Sequence, residues 1–277
     1  MTYPGLDKFL LDALEEDIGT GDITTLACIP AEAVSTGKFL AKQDGIVCGL
    51  DVVRRVFHLV DETVRFEPLV ADGDRVQKGD IIATVSGASR SILSGERVSL
   101  NLLQHMSGIA TASRAAMDAL AGTKTYVVDT RKTTPLLRVL EKYAVRCGGA
   151  KNHRFNLADG VLIKDNHIEA AGGIRNAVEA ARRTAPHTLK IEVEAETLEQ
   201  VQECLDAGAD IIMLDNMSVE NMAAAVKLID GRAIVEASGN MGDRDIREVA
   251  ETGVDYISIG ALTHTVNALD ISLKFKL

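Results

Sequence analysis

Tryptophan is absent from this 277-residue chain, and aromatic residues make up only 4% of it. Hydrophobic residues still reach 46%, so aliphatic side chains must fill the core. The length is enough for one large domain or two ordinary ones. Basic residues are also outnumbered: 30 Lys and Arg residues stand against 40 Asp and Glu residues, which gives a formal net charge of -10. This balance argues against a protein that coats nucleic acid, which needs a basic surface.

Cysteine pairs and long apolar runs are missing as well. The cysteines form no C-x-x-C pair, which favours free thiols in a reducing compartment. The first residues, MTYPGLDKFLLDALEEDIG, carry acids within an apolar pattern and lack the basic start of a signal peptide. No apolar run approaches the ~20 residues that a membrane span needs. We therefore expect a cytoplasmic, soluble protein without a nucleic-acid or membrane partner.

The pattern of elements changes near residue 105. Before this point, short strand-like runs alternate with Gly-containing turns. Beyond it, a short β-rich run that ends in a polar residue is followed by a helical pattern, and this unit recurs. The alternation predicts parallel βα units, arranged as an open sheet or as a partial barrel. The β-rich runs are TYVVDT, GVLIKDN, LKIEVEA, DIIMLDN, RAIVEASG and DYISIGA.

Polar residues end all of these runs. In both arrangements, functional groups gather at the carboxyl ends of the strands. Strands that simply reach solvent would also end in polar residues, but that need not recur so consistently. We therefore predict the functional site at this edge. The residues concerned are Asp129 and Arg131, Lys164–Asn166, Glu194, Asp215 and Asn216, Glu236–Asn240, and Gly260.

Residues 129–154 concentrate positive charge in this acidic chain. They hold seven Arg or Lys residues and one His, against two acids. A purely structural role would require a matching set of acids nearby. Arg offers a planar fork that fits a carboxylate, whereas Lys acts as a mobile point charge. Converging groups of both kinds indicate a small ligand with more than one carboxylate or phosphate.

The middle of this basic segment, TTPLLRVLEKYAVRCGG, is typical of a capped helix, with Pro135 in its first turn. Arg138, Lys142 and Arg146 recur at i, i+4 and i+8 on one face. Their mutual repulsion predicts an anionic group opposite them. A solvated or subunit-facing helix surface explains the three equally well.

Eight stretches occur in order over nearly the whole chain: LEEDIGTGDITT, DTRKTTP, LEKYAVRCGGAKNHR, VLIKDNHI, IEVE, IMLDNM, EASGN and ISIGALTH. Together they resemble the motifs of the quinolinate phosphoribosyltransferase family. The resemblance implies an enzyme of NAD biosynthesis, a glycosyltransferase of the pentosyltransferase kind. Such an enzyme converts quinolinate and phosphoribosyl pyrophosphate to nicotinate mononucleotide, pyrophosphate and carbon dioxide, using magnesium.

The resemblance also implies the architecture. An N-terminal α/β sandwich domain would span residues 1–108, and residues 265–277 would pack back on it. An incomplete, roughly six-stranded parallel α/β barrel would span residues 109–264. The assembly would be a homodimer or larger, and Arg97 would reach into the active site of a neighbouring subunit.

Site residues follow from the same resemblance. Glu194 and Asp215 would lie near the ribose and its magnesium. The groups that would hold the two quinolinate carboxylates are Arg97, Arg131, Lys132, His153, Arg154 and Lys164. The residues that would receive the 5′-phosphate are Ser238, Gly239, Asn240, Gly260 and Ala261.

The implied reaction places demands on these residues. The ring nitrogen attacks the anomeric carbon, and the sugar gains oxocarbenium character, which carboxylates at Glu194 and Asp215 can stabilise. Glu192 shares a strand face with Glu194 and is the less favoured candidate. Decarboxylation then leaves a carbanion beside a pyridinium nitrogen. Either Lys132 or Lys164 could stabilise it or deliver the proton.

Two positions depart from the pattern of the family, which commonly has Gly at both. Leu136 is expected in the first turn of the helix, where no positive φ is needed. Ala150 leaves the shape of the loop before His153 open, because a Gly-requiring angle there would be costly.

Two other functions remain compatible with the sequence. Lys164, at a strand end near a phosphate site, could form a Schiff base as in aldolases. An anion-binding relative associated with molybdenum transport is the non-enzymatic alternative. The DTRKTTP and NHR motifs favour the biosynthetic enzyme.

Overall fold

The computed structural model describes residues 3–275. Its helices are α1 (Leu6–Ile18), α2 (Ile23–Cys28), α3 (Leu50–Val60), α4 (Ser89–Ala119), α5 (Arg138–Cys147), α6 (Asp165–Ala171), α7 (Ile174–Thr184), α8 (Leu198–Ala207), α9 (Val219–Ile229), α10 (Ile246–Glu251) and α11 (Ala261–His264). Its strands are β1 (Val34–Ala41), β2 (Gly45–Ile46), β3 (Arg65–Pro68), β4 (Arg75–Val76), β5 (Ile81–Ala88), β6 (Tyr126–Val128), β7 (Val161–Ile163), β8 (Ile191–Ala195), β9 (Ile211–Asp215), β10 (Ile234–Ser238), β11 (Tyr256–Ser258) and β12 (Ile271–Lys274).

The chain divides into two compact units. The first holds the described residues up to Ala112, the short segment Cys147–Gly149 and the described residues from Val266 onward. The second holds Ser113–Arg146 and Ala150–Thr265. Both ends of the chain therefore contribute to the first unit.

The first unit is built on an antiparallel sheet in the order β12-β1-β5-β3. Three of the scarce aromatic side chains meet in its core: the ring centroid of Phe39 lies 6.2 Å from that of Phe57 and 5.6 Å from that of Phe66. Aliphatic side chains from α3 and α4 complete this core, as the composition requires.

The second unit is built on a parallel sheet in the order β6-β11-β10-β9-β8-β7. Each predicted β-rich run contains one of these six strands, and helices follow them along the chain. The predicted fold class was an N-terminal α/β sandwich domain followed by an incomplete parallel α/β barrel of roughly six strands. It is confirmed by an α/β structure with an antiparallel sheet in the first unit and a six-stranded parallel sheet in the second. The parallel register aligns the carboxyl ends of the strands, as Ser238 opposite Asp215 illustrates.

Among residues 3–275, none of the helices combines the length and the apolar character that a transmembrane helix requires.

Leu136 departs from its expected position. We predicted it inside the first turn of a helix, but α5 begins two residues later, at Arg138. Leu136 instead has a φ of 68° and is 86% exposed. This left-handed backbone costs a residue with a Cβ about 1–2 kcal/mol, so the prediction that no positive φ is needed here was wrong.

We expect Leu136→Gly to raise the free energy of unfolding by about 0.5–1 kcal/mol, since relief of the left-handed strain exceeds the entropy that glycine adds to the unfolded chain. Urea unfolding of the two proteins measures this difference. Leu157 supplies the matched control, because it is 72% exposed and lies outside the positive-φ set. Leu157→Gly should destabilise the protein. Equal losses from both changes would contradict the assignment of strain to Leu136.

Candidate functional site

The carboxyl edge of the parallel sheet carries acidic and polar side chains from neighbouring strands. Glu194 projects from β8 opposite Met213, and Asp215 ends β9 opposite Ser238. Because side chains alternate along a strand, Glu194, Asp215 and Ser238 share one face of the sheet. The predicted edge therefore gathers these residues on one face of the sheet.

Arg131 and Arg154 both follow strands of this edge and are near enough for the charge of one to affect the other. Burial and the charge of Arg131 lower the pKa of Arg154, whereas the charges of Glu192 and Glu194 oppose that change. Arg154 donates one hydrogen bond to the carbonyl oxygen of Gly160, at 2.9 Å. The Nε of Arg131 is buried and has no hydrogen-bond partner among residues 3–275. The pair is therefore arranged to receive anionic oxygens.

Lys164 and Glu194 form an ion pair across β7 and β8. Burial raises the pKa of Glu194, the ammonium of Lys164 opposes this, and the charge of Asp215 adds to it. Two carboxylates near each other and one ammonium leave negative charge at this point of the edge. The donor set, carboxylate oxygens without sulfur or imidazole, suits magnesium.

The loops after β9 and β10 are built around residues with a left-handed backbone. Asn216 and Asn240 have φ angles of 53° and 52°, and Gly239 has 96°. A Cβ at Gly239 would lie 2.2 Å from the Oδ1 of Asn216, so no other residue fits there without a shift. The backbone can consequently approach a ligand closely.

The loop after β11 adjoins these two. A Cβ at Gly242 would lie 2.8 Å from the Cβ of Ala261, and one at Gly260 would lie 3.1 Å from the Cδ of Lys132. Thr263 donates a hydrogen bond to the carbonyl oxygen of Lys132, at 2.8 Å. The predicted phosphate residues of β10 and β11 therefore lie in adjoining loops, with the side chain of Lys132 beside them.

A buried ion pair supports the loop that carries His153. The side chains of Lys142 and Asp129 pair at 2% and 0% exposure. Asp129 also accepts a hydrogen bond from the backbone N–H of His153, at 2.9 Å, and one from Asn152. Lys142 donates to the carbonyl oxygen of His153, at 3.0 Å. The pair thus fixes the backbone on both sides of His153.

Lys142 has an anionic group opposite it, unlike an ordinary residue of a solvated helix face. The sequence predicted an anionic group opposite this face or, equally well, a solvated surface. For Lys142 the anion is Asp129, from inside the same basic segment, and the side chain is buried. Arg138 instead donates to the hydroxyl oxygen of Thr133, at 2.9 Å. Sequence reasoning missed the structural role of Lys142 because a charge at helical spacing normally indicates a surface.

The imidazole of His153 is engaged through both nitrogens. Its Nδ1 accepts a hydrogen bond from the backbone N–H of Arg154, at 2.7 Å. Its Nε2 lies 3.0 Å from Glu192 and 3.7 Å from Glu236. Burial lowers the pKa of His153, but the hydrogen bond to Glu192 and the charges of both carboxylates outweigh this and raise it. Protonation of Nδ1 would break the bond from Arg154.

Ala150 needs no glycine-like backbone. The described non-glycine residues with positive φ are Leu136, Asn216, Asp230 and Asn240. Ala150 is 5% exposed, and its neighbour Gly149 takes the left-handed angle, at a φ of 93°. The alanine therefore leaves the loop before His153 unstrained.

The fold and the site together define the class of protein. A parallel α/β sheet that gathers paired guanidinium groups, carboxylates and glycine-containing loops at its carboxyl edge is typical of an enzyme that acts on anionic substrates. Residues 22–107 match the family model "Quinolinate phosphoribosyl transferase, N-terminal domain", and residues 109–274 match the corresponding C-terminal domain. The chain belongs to the quinolinate phosphoribosyltransferase family.

Individual relatives are similar over nearly their full length. A protein of Bacillus subtilis named probable nicotinate-nucleotide pyrophosphorylase [carboxylating] is 46% identical, over 100% of this chain and 96% of its own. The nicotinate-nucleotide pyrophosphorylase [carboxylating] of Mycobacterium leprae is 46% identical, over 94% of each chain. The crystal structure of NadC from Streptococcus pyogenes is similar with a TM-score of 0.93 and 45% identity, covering 99% of this chain and 97% of that one.

Proposed function

We propose that this protein transfers the phosphoribosyl group of phosphoribosyl pyrophosphate to quinolinate. The product loses a carboxylate as carbon dioxide, which gives nicotinate mononucleotide and pyrophosphate for NAD biosynthesis. The observation that carries this proposal is the pair of neighbouring guanidinium groups, Arg131 and Arg154. Neither has a carboxylate hydrogen-bond partner among residues 3–275, so an acid from the substrate can supply one.

Quinolinate fits this pair through its adjacent carboxylates. Each charge-assisted hydrogen bond contributes about 1.5–3 kcal/mol. A planar guanidinium can donate two parallel hydrogen bonds to one carboxylate. Lys164 adds a mobile positive charge at the end of β7. Because these cations fix both carboxylates, they also aim the ring nitrogen of the substrate at the sugar.

The phosphoribosyl donor is held by the adjoining loops after β10 and β11. Their glycines let backbone N–H groups approach the 5′-phosphate. The residues proposed for this contact are Ser238, Gly239, Asn240, Gly260 and Ala261. Lys132, beside Gly260, adds a positive charge there and also faces the substrate acid in our proposal.

The carboxylates of Glu194 and Asp215 stabilise positive charge on the ribose as pyrophosphate leaves. They would also hold magnesium, which neutralises the pyrophosphate. Loss of carbon dioxide leaves an electron pair on the ring carbon beside the alkylated nitrogen. Lys132 or Lys164 delivers the proton to this carbon.

We expect the purified protein to form nicotinate mononucleotide from quinolinate and phosphoribosyl pyrophosphate only when magnesium is present. Nicotinate should be used at least about a hundredfold less efficiently, because one cation would be left without its carboxylate. Chromatographic detection of the product in parallel reactions measures both. Equal use of the two acids would refute the proposal, and omission of magnesium controls for the metal.

Arg97, an exposed residue of α4, completes the active site of a second subunit in a homodimer or larger assembly. Arg97→Ala and Asp215→Ala should each be nearly inactive. After subunit exchange between equal amounts of the two, half of the dimers are mixed, and each mixed dimer has one intact site. Activity should therefore return at roughly a quarter of all sites. Confirmed exchange without recovered activity would show that Arg97 does not act across an interface.

The two other readings have less support. The ammonium of Lys164 is paired with Glu194, whereas a Schiff base needs a neutral amine. Molybdate binding is tested by calorimetry beside quinolinate, and quinolinate should bind more tightly.

A further inference from the structure

A second pair of carboxylates lies beneath the candidate site, and the proposed reaction does not use it. Glu192 and Glu236 are each 4% exposed and lie one alternation below Glu194 and Ser238 on the same strands. One oxygen of each, Oε1, is buried without a hydrogen-bond partner among the described residues. A buried carboxylate oxygen without a hydrogen bond is costly, so a function at these positions is expected.

Both carboxylates face the same imidazole. The Nε2 of His153 lies 3.0 Å from the Oε2 of Glu192 and 3.7 Å from the Oε1 of Glu236. The other ring nitrogen accepts the N–H of Arg154, at 2.7 Å, and an acceptor nitrogen carries no proton. In its neutral form His153 therefore carries its proton on Nε2 and donates a hydrogen bond through it to Glu192.

Glu236 is the second carboxylate beside the ring, and burial together with the charge of Glu192 raises its pKa to about 8. Glu192, the nearer of the two, accepts the hydrogen bond from Nε2. Asp129 and Lys142, the other charged groups around His153, are already paired with each other.

We propose that Glu192 and Glu236 are positioning residues, which hold the ring of His153 from below so that its Nδ1 fixes the backbone of Arg154. The chain of contacts runs from Glu192 to Nε2, and from Nδ1 to the N–H of Arg154. The guanidinium of Arg154 is thereby aimed at a substrate carboxylate. This inference rests on the proposed function for the identity of that substrate, but the ring geometry does not depend on it.

The first test reads the tautomer of His153 by nitrogen NMR of histidine-labelled protein. The signal is assigned by its loss in His153→Gln. On the alkaline side of the raised pKa of His153, where the ring is neutral, we expect its proton on Nε2. A neutral ring with its proton on Nδ1 would overturn the proposal, because that tautomer cannot accept the N–H of Arg154. This measurement needs no turnover, so it stands whether or not the protein makes nicotinate mononucleotide.

The second test separates positioning from folding. Glu192→Met and Glu236→Met should each raise the KM for quinolinate roughly tenfold to a hundredfold, with the KM for the phosphoribosyl donor changed less than about twofold. Glu192→Gln and Glu236→Gln keep a polar group of the same shape and should recover most of the affinity for quinolinate. If the methionine variants do not fold, two measurements decide. They are the KM for quinolinate of the glutamine variants against that of wild type, and the tautomer of His153.

Met213→Leu is the matched control. Met213 lies opposite Glu236 in the sheet register and is 5% exposed, and leucine conserves its volume. It should leave both KM values and the signal of His153 unchanged. Equal increases in both KM values for the glutamate variants, or the same increase for Met213→Leu, would show general disturbance of the sheet and overturn the proposal.

Discussion

Asp215→Ala is expected to lower kcat by about 10²–10³ while quinolinate binding changes by less than a few-fold. Removal of a group that stabilises charge only in the transition state has this size of effect. Asp215 ends β9, and the side-chain amide of Asn216 donates a hydrogen bond to it at 2.8 Å. Steady-state kinetics gives kcat, and calorimetry gives the dissociation constant for quinolinate.

Arg154→Ala supplies the opposite pattern. It removes a charged donor and should weaken quinolinate binding by about 10–100-fold. The control for Asp215→Ala is Asp206→Ala, which also removes an acid. Asp206 is an exposed residue of α8 that accepts a hydrogen bond from Gln202. Its replacement should leave both measurements unchanged. Abolition of quinolinate binding by Asp215→Ala would reverse the roles assigned to these residues.

Lys142→Met is expected to lower the free energy of unfolding by about 3–5 kcal/mol, because it leaves the buried carboxylate of Asp129 without its ammonium. Burial raises the pKa of Asp129 and lowers that of Lys142, in each case against the attraction of the partner. The cost of burying the two charges is therefore only partly offset, and Asp129→Asn combined with Lys142→Met should lose less than Lys142→Met does. Denaturant unfolding measures all three proteins.

The pH dependence of this loss has a definite sign. A carboxyl whose pKa is raised by folding favours the folded state more as pH falls. The difference between wild type and Lys142→Met should therefore shrink toward acidic pH, as Asp129 takes up a proton. Lys124→Met is the control: its pair with Asp255 is 65% and 34% exposed, and its loss should cost under about 1 kcal/mol. Losses of equal size would contradict the importance of burial.

The strands of the parallel sheet could be predicted because their signal is local. Each β-rich run between turn residues contained a strand, and the polar residue at its end marked the edge that carries the site. The alternation of Glu192 with Glu194 also showed that both lie on one face. What the alternation could not show is that Glu192 contacts His153, since that depends on a loop from another part of the chain.

The errors have a common physical origin. A leucine in the sequence does not indicate a positive φ, because the surrounding chain imposes that angle at Leu136. Similarly, the burial of Lys142 depends on Asp129, 13 residues earlier in the chain, whose position depends on the end of β6. Backbone strain and buried charge pairs are tertiary properties, whereas the patterns that predicted the strands are periodic in the sequence.

The pairing of β12 with β1 has a consequence for synthesis on the ribosome. Strand β1 lies between β5 and β12, and β5 follows β1 closely in the chain. The partner on its other side, residues 271–274, emerges only after the intervening residues 42–270 have been translated. At about 5–20 residues per second, this leaves the outer edge of β1 open in the nascent chain for on the order of ten to forty seconds. An open strand edge attracts other strands, so chains released before residue 271 should depend on chaperones and aggregate without them.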